Sequence, residues 1–263
     1  LRDGAQFQSV LDTVRRAAQQ IRALFNRADA DIFPPPGLDR RASFFAETHP
    51  ATQTAPRLYV GVAAQGRSLK VVMLRTDLAL MAAAQRAYED AGGIQTVPNP
   101  ADPYLTLLGY FNSLRELGGS RRIVEDEVTS RLQKYGERHV QNEPVGRFAN
   151  REIDFEVLEL TSRVSTADVA QAKRRLEHHF SHKERVDIAL ATNMISVGLD
   201  IIRLGLMVML GQPKTSAEYI QASSRVGRDP KRPGLVVTLL NIHRPRDRSH
   251  YERFTAYHQT FYR

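Results

Sequence analysis

Gln221, Arg225 and Arg228 stand four and three residues apart within Tyr219-Ile220-Gln221-Ala222-Ser223-Ser224-Arg225-Val226-Gly227-Arg228-Asp229. Gly227 leaves the backbone free to turn tightly between the two arginines. Planar, permanently charged guanidiniums are what a site needs to stabilise a phosphoryl group whose oxygens gain charge during transfer. A side-chain amide beside them can orient water or a phosphate. A basic cluster is also ordinary on a solvated face, so this reading depends on the company the cluster keeps.

That company lies upstream, in Ala191-Thr192-Asn193-Met194-Ile195-Ser196-Val197-Gly198-Leu199-Asp200. The apolar run Ile188-Ala189-Leu190-Ala191 reads as a buried strand. Thr192 and Asn193 open the loop at its carboxyl end, where ligands of open α/β sheets sit. They offer a hydroxyl and an amide to a phosphate or sugar. Gly198 permits close backbone approach, and Asp200 can accept a ribose hydroxyl. The same residue types also close local turns, so a purely structural role stands beside the functional one.

Together the two stretches resemble motifs V and VI of superfamily 2 helicases in order and spacing. Between them, Leu206-Met207-Val208-Met209-Leu210 reads as another buried strand, followed by a helix start at Ser216-Ala217-Glu218-Tyr219. Leu235-Val236-Val237-Thr238-Leu239-Leu240 supplies the next strand. The resemblance implies an α/β fold: a RecA-like lobe with a central, mostly parallel sheet flanked by helices, plus an N-terminal helical segment. Residues 1–57 then form a helix and Pro-rich linker, 58–245 the second RecA-like lobe with a helical element at 68–90, and 246–263 the start of a further helix.

Two segments extend the resemblance upstream. Tyr104 to Phe111 reads as a strand followed by Asn112, Ser113 and a helix, similar to motif IV, where a strand end meets the nucleic-acid backbone. Phe155 to Leu160 reads as a period-two strand, and Ser162 and Arg163 after it are similar to the motif IVa region that touches phosphates. Either could equally be a strand-to-helix loop with a capping residue. The wording ATNMISVGLD … GQPKTSAEYIQASSRVGRD resembles the DISARM-type anti-phage helicases more than the DEAD-box group. DEAD-box proteins carry His-Arg where this chain has Gln221-Ala222, and Gln is common in DNA-directed relatives. DNA is therefore expected ahead of RNA.

The resemblance further implies ATP with Mg²⁺, bound mainly by a first RecA-like lobe of the same polypeptide. Gln221, Arg225 and Arg228 would be catalytic, Gly198 and Asp200 would contact nucleotide, and Asn112, Ser113, Ser162, Arg163, Thr192 and Asn193 would hold nucleic acid. Defence-system subunits are possible further partners. No Gly-x-x-x-x-Gly-Lys-Ser/Thr or Asp-Glu-x-Asp/His box occurs in the chain. Gly61 to Ser68 has P-loop spacing, but Arg67 replaces the lysine, and a guanidinium does not substitute for an ammonium there. This stretch alone is expected to be inactive. A start at Leu1 and an end within the pattern Tyr251, Phe254, Tyr257, Phe261 read as a piece of a longer helicase. The rival reading is a non-catalytic helicase-like scaffold, which would have no need of Gln221, Arg225 and Arg228 together.

Composition agrees with this class. The 263 residues carry 37 basic and 29 acidic side chains, a net charge of +8 that suits a nucleic-acid partner. With no cysteine, disulfides and thiolate metal sites are excluded. No apolar run reaches membrane-spanning length, and a cytoplasmic location is expected. Phe7, Val10, Leu11, Val14, Ile21, Leu24 and Phe25 share a helix face running to about Arg27, which Phe33-Pro34-Pro35-Pro36-Gly37 ends. The 68–90 helix is apolar almost all round and is expected to be well buried. Glu125-Asp126-Glu127 reads as a solvated face, with Ile123, Val124, Val128 and Leu132 turned inward. His178, His179 and His182 show no acidic partner at ligand spacing, so no metal is expected.

Overall fold

Apolar runs of four to six residues, buried on both faces, build the four central strands of the sheet, and its two edge strands are only partly buried. In the computed structural model, which describes residues 17–27, 53–138, 146–154, 156–161, 163–192 and 200–259, six strands pair in parallel. They are β1 (Leu58–Ala63), β2 (Leu107–Phe111), β3 (Leu158–Leu160), β4 (Ile188–Ala191), β5 (Leu206–Leu210) and β6 (Leu235–Leu240). Their order is β1-β6-β5-β2-β4-β3. This is a RecA-like, all-parallel sheet with flanking helices, as the sequence implied.

Period-two alternation sorts each strand onto two cores. Leu107, Phe111, Val208, Leu210, Val237 and Leu239 join one apolar cluster, whereas Leu108, Tyr110, Met207, Met209 and Val236 join the other. Helices α2 (Leu69–Asp90), α3 (Leu114–Ile123) and α4 (Thr129–Leu132) cover the first face. Helices α5 (Thr166–Glu177) and α6 (Ser216–Ser223) cover the second. Helix α1 (Ala17–Phe25) belongs to a separate N-terminal unit, Leu1–Pro50, while the sheet lies in the unit from Ala51 to Tyr262.

Three helices that follow strands share one start signal. Ser113, Ser165 and Thr215 are the N-caps of α3, α5 and α6, and their hydroxyl oxygens accept from the backbone N–H of Glu116, Asp168 and Glu218. The Ser/Thr-x-x-acid spacing places a carboxylate in each first turn, which favours the positive end of the helix. A π-helical turn, Val124–Val128, joins α3 to α4. It buries Val124 and Val128 and leaves Asp126 exposed, as expected of that acidic run.

Several boundaries differ from expectation. Strand β2 begins at Leu107 because Asp102–Tyr104 forms a 3₁₀ turn around Pro103. Only Leu158–Leu160 of the expected 155–160 strand pairs with β4, and Phe155 lies outside the described residues. Helix α2 is one-sided: Met73, Leu74, Leu78 and Met81 are buried, whereas Lys70, Val71 and Arg75 are exposed. Near the end of the chain, one expected helix is two, α7 (Pro245–Glu252) and α8 (Phe254–Gln259), broken at Arg253. Tyr257 packs on Tyr219 with ring centroids 6.0 Å apart, whereas Tyr251 is exposed. Phe261 and the Phe7 to Val14 and Phe33 to Gly37 segments lie outside the described residues.

Candidate functional site

Of the residues expected to touch nucleic acid, those described stand at the carboxyl ends of strands. Asn112 and Ser113 follow β2, Thr192 follows β4, and Arg163 comes three residues after the end of β3. Because β3, β4 and β2 are consecutive in the sheet, the parallel register sets these groups side by side. Thr192 is buried, and its N–H donates to Leu160 O at 3.4 Å. The Arg163 N–H donates to Thr161 Oγ1 at 3.4 Å, while Thr161 donates to Glu159 at 3.0 Å. Asn112 Nδ2 donates to Leu210 O at 3.1 Å, tying the tip of β2 to that of β5. Ser113 uses its hydroxyl oxygen to cap α3. Ser162 and Asn193 lie outside the described residues.

The arginine stretch stands elsewhere. Helix α6 starts beyond the carboxyl end of β5 and runs back along the sheet, so the residues after it emerge near the amino ends of the strands. There the Gly227 N–H donates to Leu204 O at 2.8 Å, just before β5. Gly227 has φ +65°, and a Cβ on it would fall 2.6 Å from the Gly234 Cα. Only glycine suits both the left-handed backbone and that approach. The fully buried Val226 anchors the turn, and its carbonyl accepts from Arg57 Nε at 2.7 Å. Arg228 is thereby held in place, its Nε donating to Ser224 O at 2.9 Å and its Nη1 paired with the Asp200 carboxylate. Three residues after Asp200, Arg203 anchors the same segment to the body of the lobe, donating to Asp102 at 2.6 Å and to Thr106 at 2.9 Å. Gln221 and Arg225, both half-buried, sit on α6 and just after it. Gly198 lies outside the described residues.

The structure thus brings Arg228 and Asp200 together and lines Asn112, Thr192 and Arg163 along another edge. Thr192 closes the carboxyl end of β4, whereas Asp200 pairs with Arg228 beside the turn that Gly227 fastens to Leu204, ahead of β5. Proximity of these two groups in sequence does not carry over to proximity in space.

Sequence reasoning missed the groups that shape the carboxyl edge between β2 and β6. Asp247, fully buried on α7, accepts from the Gln212 N–H at 3.3 Å and the Asn241 N–H at 3.1 Å. It joins the tips of β5 and β6. Asn241 and Pro245 are a readable strand-end and helix-start pair, but no sequence spacing marks Asp247 as their partner. On the second face, Tyr110 donates to Glu218 at 3.0 Å, and burial with that carboxylate pushes the phenol well above its ordinary range. Beneath β2, burial raises the Asp77 carboxyl to about 8. It faces a cavity lined by Met73, Leu107, Gly109, Phe111 and Leu210.

Gly61 to Ser68 is a strand end and a capped turn. Gly61 to Ala63 lie within β1, and Ser68 accepts from the Val71 N–H as the N-cap of α2. The histidines require a correction. Glu184 stands 3.8 Å from His178 Nε2, and His178, His182 and Glu184 bring their ligand atoms within 4.8 Å of one another. The acidic partner was missed because a turn after α5, rather than helical spacing, supplies it. Metal-ligating histidines normally donate from their other ring nitrogen. Here His182 Nδ1 instead accepts from the Glu184 N–H at 3.1 Å, and the rings of His178 and His182 stack at 3.8 Å. That geometry suits a capped turn. Among the described residues no helix is long and apolar enough to cross a membrane.

Known proteins similar to this chain include helicases. Residues 131–230 match the helicase conserved C-terminal domain. Over 250 residues the chain is 44% identical to the DISARM protein DrmA of Bacillus paralicheniformis, covering 95% of this chain and 21% of that protein. The chain therefore spans about a fifth of the length of the curated relative it matches. Among solved structures, the DUF1998 helicase MrfA bound to DNA and AMPPNP aligns at 14% identity and TM-score 0.49, over 77% of this chain and 22% of that one. The S. cerevisiae protein Dbp5 bound to RNA and ADP BeF3 aligns at 12% identity and TM-score 0.44, over 77% and 39% of the two chains.

Proposed function

Because this chain carries the second RecA-like lobe of a superfamily 2 helicase, we propose that it is the arginine-supplying, strand-gripping half of an ATP-dependent DNA translocase or helicase acting in anti-phage defence. The observation that carries this reading is the division of polar groups between two edges of the lobe. A glycine-locked arginine lies at one side of the sheet, and a row of neutral and basic hydrogen-bonding groups lies along the other.

In the full-length protein, a first lobe of the same polypeptide holds ATP with Mg²⁺. Arg228, with Arg225, reaches the γ-phosphate when the lobes close, and Gln221 orients the attacking water or the phosphate. Asp200 and Gly198 contact the nucleotide from the loop after β4. Arg228 leaves the Asp200 carboxylate for the phosphate, exchanging one anion for another at little electrostatic cost. Finger-type arginines contribute about 10³–10⁵ in rate, or roughly 4–7 kcal/mol of barrier. Asn112, Ser113, Ser162, Arg163, Thr192 and Asn193 hold the strand along the carboxyl edge. Closing and opening of the lobes then alternates the distance between two grips on that strand. Gln221-Ala222 favours DNA over RNA, and the setting is cytoplasmic.

DNA-stimulated ATP hydrolysis by the full-length protein tests the proposal. Strong turnover that disappears in Arg228→Ala is the expected result. Turnover indifferent to that change would remove the arginine from the chemistry.

A further inference from the structure

The crevice between the tips of β2 and β5 is the topological switch point of the sheet. From β2 the chain leaves through α3 on one face and returns as β3, beyond β4. From β5 it leaves through α6 on the opposite face and returns as β6 on the other side. Neighbouring strands whose connections part in this way open a crevice at their carboxyl ends, where open α/β sheets take ligands.

The crevice holds polar atoms that the fold leaves unsatisfied. Gln212, 2% exposed at the tip of β5, has a buried Nε2 without a hydrogen-bond partner. Asn112, at the tip of β2, donates from Nδ2 to Leu210 O, which identifies its Oδ1 as an acceptor, and that oxygen is buried and unpartnered. Glu116 on α3 has a buried, unpartnered Oε2. Buried polar atoms in native proteins are overwhelmingly paired, and these three orphans stand on the adjacent tips of β2 and β5 and the first turn of α3, where a ligand would pair them. Gly211, at φ +81°, makes the left-handed turn between the β5 tip and Gln212, and a Cβ on it would be in ordinary contact, 3.4 Å from both Asn112 Nδ2 and Asp247 Oδ2. The other oxygen of Glu116 meets Arg244 Nη1 at 3.4 Å. That half-exposed bridge runs from α3 to the loop after β6 and so passes over the tip of β5, which lies between β2 and β6 in the sheet.

One donor and two acceptors, one of them a carboxylate, do not suit a phosphate. The charges of Glu116 and Asp247 repel it. They suit a group with one acceptor and two adjacent N–H donors, which is the Watson–Crick edge of guanine: O6, N1–H and N2–H. We propose that the switch-point crevice reads an unstacked guanine of the bound strand, with Gln212 donating to O6 and Glu116 and Asn112 accepting from N1–H and N2–H. Arg244 swings off Glu116 to admit the base. This rests on the strand-gripping role proposed above, because the strand must run along this edge.

The experiment uses the full-length protein and single-stranded oligothymidylates carrying one central dG, dI or dT. The dG strand should bind about tenfold more tightly than the dT strand, the discrimination of one good base contact. The dI strand, which lacks the N2 amino group, should fall between them. Glu116→Gln should bring the dG/dT ratio close to one, and a ratio measured on one preparation cancels any loss of folded protein. Equal affinity for all three strands in the wild type, or an unchanged ratio in the variant, overturns the guanine slot and leaves the strand grip standing. Failure to bind any of the three overturns the strand grip, and the slot with it.

Discussion

The carboxyl edge of the sheet and the corner that carries Arg228 are built by opposite means. Along the edge, Asn112 and Thr192 are fixed by hydrogen bonds into neighbouring strand tips, and among the residues expected to touch the strand there Arg163 alone is charged. At the corner, one guanidinium follows a left-handed glycine turn and is held by an exposed carboxylate and the Ser224 carbonyl. A row of neutral groups locked to the sheet suits steady contact with a repeating backbone. An arginine resting on an exchangeable anion suits an event that happens once per cycle. The contrast separates gripping from switching within one lobe.

The largest effect that would break this contrast is on turnover. Arg228→Ala in the full-length protein should lower ATP hydrolysis by about 10³–10⁵. Gly227→Ala should reach the same corner through the backbone. A left-handed residue with a Cβ costs about 1–2 kcal/mol, and the clash with Gly234 adds to it. A lower melting temperature and reduced turnover should appear together. Gly118→Ala is its counterpart near the edge, on α3, where a Cβ would meet nothing within 4 Å. It should stabilise by about 0.5–1 kcal/mol, read as a small rise in Tm.

Asp77 lies beneath β2, within the core that supports the edge. Its carboxyl is raised from 3.8 to about 8, so the folded state holds a proton that the unfolded state has lost anywhere between those values. The stability this group supplies is complete below about pH 4. It falls by roughly 1.4 kcal/mol per pH unit as pH rises toward 8. Asp77→Asn should flatten that slope in chemical denaturation measured across the window, and an unchanged slope would place the titration elsewhere. The smallest expected effect is at Arg163. Its replacement by Ala should reduce the salt dependence of strand binding by about 0.7–0.9 in logarithmic slope, one phosphate contact.

Much of this arrangement was legible in local signals. The apolar runs at Ile188, Leu206 and Leu235 became central strands because burial on both faces demands such runs, and Ser113 is the cap that its strand-to-helix loop offered. The turn at Gly227 was readable because glycine is the residue that turns the backbone tightly, whereas the approach of Gly234 was not. What sequence could not supply was distance across the sheet. Thr192 and Asp200 are eight positions apart, yet one follows the carboxyl end of β4 and the other stands in the segment ahead of β5. Asp247 and Gln212 meet across 35 positions, and Glu116 and Arg244 across 128. Those pairings come from strand order, which local periodicity does not encode. Glu184 was missed beside His178 for the same reason on a smaller scale, because a turn rather than a helix brings the two together.

The separation of gripping from switching is tested most directly by measuring ATP turnover and single-strand DNA affinity side by side in the full-length protein carrying Arg228→Ala or Arg163→Ala. The account predicts a crossed result. Arg228→Ala loses turnover and keeps DNA affinity within a few-fold, whereas Arg163→Ala weakens DNA binding and keeps turnover at saturating DNA. Parallel losses of both activities in both variants would contradict it.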